Sequence, residues 1–204
     1  MQSDTADLAG LVSARICHDL ISPIGAAGNG LELLSLASAN AAQNSPEMAL
    51  ITASLAQAQA RLQFFRPAFG AADTGSEMAH KDLAHLLQAL GRDSRLRYHC
   101  QPCAPVPRPM VQLICLSLLC LEGALPSGGN LRAASDGPDW HITASGDKLH
   151  PMPQRWALLT GPEVAVHPRD VQFSLLRSLA EKRKIALTLQ TEAQAISLHL
   201  RPGP

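Results

Sequence analysis

Aromatic residues are nearly missing from this 204-residue sequence: four Phe, two Trp and one Tyr make up 3% of it. Its core must therefore be assembled mainly from Leu, Ala, Ile and Val, and the 46% hydrophobic share supplies enough of them. Net charge is missing too. Seventeen Lys and Arg offset seventeen Asp and Glu. The chain thus has no global field with which to hold nucleic acid or an anionic membrane, and neither is expected as a partner. The greasiest run, residues 110–121, is too short to span a bilayer, which needs about 20 apolar residues. No basic stretch followed by an apolar one opens the sequence, so a secretory signal is not expected. Five cysteines (Cys17, Cys100, Cys103, Cys115, Cys120) are odd in number and scattered, unlike a disulfide framework. A cytoplasmic protein is the expectation.

What is present begins with helical periodicity. Leu8, Leu11, Val12, Ile16, Leu20, Ile24, Leu31 and Leu34 recur mostly at helical spacings. Residues 37–45 look like a connection, and Ser45-Pro46-Glu47 like a helix start: a hydroxyl cap, proline in the first turn and an acid near the positive end. Met48, Ile51, Leu55, Ala58, Leu62, Phe65 and Phe69 then alternate spacings of three and four, a narrow seam of the bundle kind. Two helices cannot enclose such a seam from both sides. Either a second copy completes it, giving a homodimeric four-helix bundle, or the rest of the same chain covers it.

Small residues at 70–76 mark an expected boundary, with a helical hairpin over 1–72 and a second domain over 76–204. Beyond it the pattern is mixed. Leu83, Leu86, Leu87 and Leu90 predict a short helix stopped by Gly91, and residues 95–100 a strand. Pro107 and Pro109 precede a helix apolar nearly all round, hence central and buried, relieved by Gln112, Ser117 and Glu122. Residues 126–129 read as a turn, 130–134 and 140–144 as strands, and Val171, Leu175 and Leu179 as another helix. The period-two sets Ile185, Leu187, Leu189 and Ile196, Leu198, Leu200 predict a closing hairpin. The whole is α+β, with helices on one face of a mostly antiparallel sheet.

One segment carries chemistry: Arg15-Ile16-Cys17-His18-Asp19-Leu20-Ile21-Ser22-Pro23-Ile24. Arg15 and Ser22, three before and four after His18, share its helix face. Pro23 suggests a bend near the histidine. An imidazole is nucleophilic near neutral pH and can accept a phosphoryl group.

His18, Asp19, Leu20, Ile21, Ser22 and Pro23 resemble the phosphorylation motif of two-component histidine kinases, and residues 28–34 resemble the end of that helix. The run from Ile16 to Ala26, with residues 60–65 and 68–70, is most similar to the ChpT-like histidine phosphotransferases of alphaproteobacterial cell-cycle phosphorelays. That resemblance implies a dimerising hairpin followed by a degenerate Bergerat-type α/β sandwich. In the kinases, asparagines on a central helix hold magnesium and an Asp-x-Gly-x-Gly element binds adenine. Here the central helix has no Asn and the chain has no Asp-x-Gly-x-Gly. The resemblance therefore implies phosphotransfer without ATP, through a phosphohistidine at His18. Implied partners are the receiver domain of a hybrid histidine kinase and response regulators, the receiver supplying Mg2+. Arg15 would neutralise phosphoryl charge and Ser22 donate a hydrogen bond. Asp19 would orient the ring or bind the partner, and Ile21, Pro23, Ile24 and Gly25 would form the docking surface. A non-catalytic, kinase-like dimeric binding module is the alternative.

Other constellations promise less. Cys100-Gln101-Pro102-Cys103 has a zinc-type spacing but no second pair. His80, His85, His141, His150, His167 and His199 share no ligand spacing, and Lys182-Arg183-Lys184 reads as a solvated helix end.

Overall fold

A computed structural model describes residues 2–36, 45–92, 94–101, 104–162 and 165–203, with 2–7 and 35–36 described by backbone alone. The chain opens with two antiparallel helices, α1 (Gln2–Leu36) and α2 (Pro46–Phe69). The expected connection at 37–44 lies outside the described residues. Helix α2 starts where the sequence says it should. The Ser45 side chain accepts a hydrogen bond from the Met48 backbone N–H, and Pro46 occupies the first turn, where its missing donor costs nothing. Helix α1 continues through Pro23.

After α2 come β1 (Glu77–Met78), α3 (His80–Gly91), β2 (Leu96–Cys100), β3 (Val106–Pro107), α4 (Arg108–Glu122), β4 (Gly129–Asp136), β5 (Asp139–Ser145), α5 (Pro153–Thr160), α6 (Val171–Lys182), β6 (Ile185–Thr191) and β7 (Ala195–Pro202). Strands β1 and β3 form a small antiparallel pair. The main sheet has the order β2-β4-β5-β7-β6, with β2 parallel to β4 and every other pairing antiparallel. Helix α5 escapes the periodicity reading because it is short, and only Trp156 and Leu159 in it are buried.

Alternation sorts the sheet into two faces. Tyr98, Leu131, Ala133, Trp140, Ile142, Ala144, Ile196, Leu198 and Leu200 point into the core. Helix α4 lies against that face and is buried along residues 111–121, as its all-round apolarity requires. Phe64, Phe65 and Ala68 of α2 join the same core, so the end of the hairpin and the α/β layer are welded rather than merely linked.

Buried polar groups explain part of that weld. The Gln112 amide donates to the carbonyls of Ala68 (3.3 Å) and Gly70 (2.7 Å), which α2 leaves unpaired as it ends. Arg183 in turn donates to Gln112 Oε1 at 2.5 Å and to the Pro109 carbonyl at 2.6 Å. Arg183 is therefore not part of a merely solvated helix end: it ties α6 to the start of α4.

The α2 seam divides. Ile51 and Phe65 are buried, yet Leu55 and Leu62 stay half-exposed. The rest of the chain covers only part of it, because Ser54, Ala60, Phe64 and Ala68 share the inward face instead.

Candidate functional site

His18 sits on α1 where the hairpin meets the α/β layer. Its side chain is 51% exposed, whereas the neighbouring Asp19 side chain is only 10% exposed. One helical position separates them, so the acid turns inward while the imidazole stays at the surface. His18 Nδ1 is 3.2 Å from Asp19 Oδ1.

Two clefts flank the ring. One, of about 310 Å³, is lined by Ser22, Pro23, Gln57, Arg61, Leu90 and Tyr98 among others. The second, of about 280 Å³, is basic, with Arg15, Arg155 and Arg169 beside Glu122, Gln172 and Phe173. His18 and Asp19 border both.

Arg15 faces Asp19 rather than open solvent. One guanidinium nitrogen lies 3.0 Å from Asp19 Oδ2, off-line for a hydrogen bond, and another donates to the Arg169 carbonyl at 2.5 Å. Arg61, one helix away on α2, approaches the same Oδ2 at 3.6 Å and stacks at 5.6 Å over the Phe65 ring. It also grips Glu122 at the end of α4 with two hydrogen bonds, of 2.9 and 2.7 Å. The Tyr98 hydroxyl donates to Glu122 Oε1 at 2.8 Å. Burial works against the Arg61 charge, but the Glu122 carboxylate, with smaller contributions from Tyr98 and Asp19, outweighs it and raises the guanidinium pKa. Burial, then Glu122, pushes the Tyr98 phenol well above its ordinary range.

Among the other candidates, Ser22 and Gly25 are exposed, Ile21 is 70% exposed, and Pro23 is buried against the hairpin. Ile24 is exposed as well, but it stands seven residues from Leu31, two turns away on a face shared with Cys17. Sequence reasoning missed Arg61, Glu122 and Tyr98. Glu122 carried a legible signal: an acid ending a helix buried on all sides must find a cationic or donor partner. Cys103 lies outside the described residues. Among the described residues, no three His, Cys, Asp or Glu side chains gather around a point where one metal ion would sit. No helix there is long and apolar enough to cross a membrane.

Comparison with known proteins gives three findings. Residues 80–195 match the family described as the histidine phosphotransferase C-terminal domain. The chain is 35% identical over 198 residues to protein phosphotransferase ChpT of Brucella abortus (strain 2308), covering 93% of each. It also superposes on a bacterial phosphotransferase solved at 1.7 Å, with a TM-score of 0.83, 34% identity and 96% of each chain covered.

Proposed function

Because the chain belongs to the histidine phosphotransferase family, we propose that His18 is the residue carrying the phosphoryl group in its phosphorelay. The observation that carries this reading is the half-exposed ring whose Nδ1 faces the Asp19 carboxylate. With Nδ1 donating its proton to Asp19, the Nε2 lone pair is left for attack. Ser22 and the basic cleft border the space in front of it.

A receiver domain bearing an aspartyl phosphate docks over Ile21 and Gly25, the exposed groups next along the His18 face. The Nε2 lone pair then forms the N–P bond as the P–O bond to the receiver aspartate breaks, and that electron pair stays on the departing carboxylate. The ring keeps its Nδ1 proton, and Asp19 offsets the positive charge that develops on it. Transfer to a second receiver runs the same step backwards. Arg15, beside Asp19, supports the negative charge of the phosphoryl oxygens. The carboxylates nearest His18, Asp19 and Glu122, are already engaged by arginines. They do not fit a metal site, and no step here is routed through a metal. In this reading magnesium belongs to the acidic pocket of the receiver, and nucleotide plays no part.

The functional unit is a homodimer. Ile24 and Leu31 on α1, with Leu55 and Leu62 on α2, are half-exposed and repeat at intervals of seven. A second hairpin laid on that stripe completes a four-helix bundle. Ile24 then belongs to the dimer face, and the receiver surface narrows to the side of α1 that carries His18.

Incubation with a labelled phospho-receiver tests the reading. The wild type is expected to take the label and His18→Gln to take none. A wild type that stays unlabelled while binding the receiver would leave the non-catalytic binding module instead.

A further inference from the structure

Asp19 Oδ2 is buried and, among the described residues, accepts no hydrogen bond. Its ion-pair partners there are guanidinium nitrogens of Arg15 at 3.0 Å and Arg61 at 3.6 Å. A carboxylate oxygen removed from water in this way is held in place by those cations. The position of Asp19 therefore depends on what fixes the two arginines.

Arg15 is fixed by the Arg169 carbonyl. Arg61 is fixed by Glu122 through a two-pronged grip that sets the plane of the guanidinium as well as its place. Glu122 is fixed by Tyr98 on β2 and by its seat at the end of buried α4. The contacts run from the sheet through α4 and α2 to α1, and they end at the imidazole, the one exposed member. We propose that Glu122, Arg61 and Tyr98 form a positioning unit through which the α/β domain sets the orientation and tautomer of the His18 ring. This rests on the reading of His18 as the phosphoacceptor.

Two features argue that the unit is more than packing. Net stabilisation from a buried ion pair is small, and apolar side chains of similar volume would fill the space as well. What apolar residues could not supply is a cation at a fixed point beside Asp19. Arg61 and Tyr98 also both have raised pKa values, so neither changes charge around neutral pH. At these two members the brace keeps one charge state. Its consequence falls on the ring: free histidine favours the proton on Nε2, the nitrogen that must attack. An anchored acceptor at Nδ1 moves the proton to the other side and frees Nε2.

Glu122→Gln in the full-length protein keeps the side-chain shape and removes the charge. Single-turnover transfer from a saturating phospho-receiver is expected to fall about 10- to 100-fold, with the receiver concentration for half-maximal rate unchanged. The 15N shifts of His18 should move toward the Nε2–H tautomer, while Glu122→Asp restores part of both. Unchanged rate and unchanged tautomer would overturn the proposal, as would a loss confined to half-saturation. If Glu122→Gln does not fold, Arg61→Lys, which keeps a charge but loses the fork, is read in the same way. Should His18→Gln still take label, the acceptor assignment fails; the tautomer of His18 in Glu122→Gln then decides the brace separately.

Discussion

Arg15 holds the Asp19 carboxylate with one nitrogen and the Arg169 carbonyl with another, so it is committed within the protein before any phosphoryl group arrives. Its loss should therefore disturb Asp19 and weaken support for the developing charge at once. Arg15→Ala is expected to slow transfer at least about tenfold, measured by single-turnover labelling. Ser22 is exposed and makes no hydrogen bond among the described residues; its hydroxyl becomes useful only with the receiver in place. The chain order exposed Arg15, His18, Asp19 and Ser22 because they lie within about two turns of one helix. Arg61, Tyr98 and Glu122 escaped it because the contacts that give them meaning span up to 61 residues.

At the scale of elements, helix α1 shows how the same residue type takes opposite roles. Gly28 has open space where a Cβ would stand, whereas a Cβ at buried Gly30 would lie 2.6 Å from Ile51 Cγ1 on α2. Gly28→Ala should follow helix propensity and gain up to about 1 kcal/mol. Gly30→Ala should instead lose about 1–3 kcal/mol by forcing α1 and α2 apart. Urea denaturation followed by circular dichroism distinguishes them; a stabilising Gly30→Ala would refute the close approach. Helix α4 was readable for the opposite reason. Its apolarity on every side has one physical resolution, burial on every side, and residues 111–121 meet it. The seam of α2 was half-readable: period alone could not tell which of its residues the same chain would cover.

For the whole molecule the open stripe is decisive. Leu55→Glu with Leu62→Glu puts two carboxylates on the proposed dimer face without touching the buried core. Light scattering should then report a monomer where the parent protein gives a dimer at micromolar concentration. A parent protein that is already monomeric would sink the bundle. The outer face of the sheet gives a pH effect. His199 stacks edge-on against His141 at 4.3 Å. Partial burial, then His141 and Arg201, lower its pKa, with Asp139 pulling the other way. A depressed native pKa means that the unfolded chain binds the proton more readily. The contribution of His199 is thus complete above the ordinary histidine value of about 6.5 and is lost as pH falls through the lower native one. Thermal melts from pH 7.5 to 5 should show a shallower decline for His141→Gln than for the parent.

Several things followed from the order of residues alone: the hairpin, the capped start at Ser45, the buried central helix, the closing β-hairpin, and the contiguous motif around His18. Each depends on groups a few residues apart, where helical and strand periods fix geometry before any folding. The tertiary structure decided the rest. It set Asp19 inward between two arginines, brought Glu122 and Tyr98 to Arg61, turned Arg183 from a solvated cation into a tie, and left Leu55 and Leu62 uncovered. Those outcomes depend on which distant surfaces meet, and no local period encodes that.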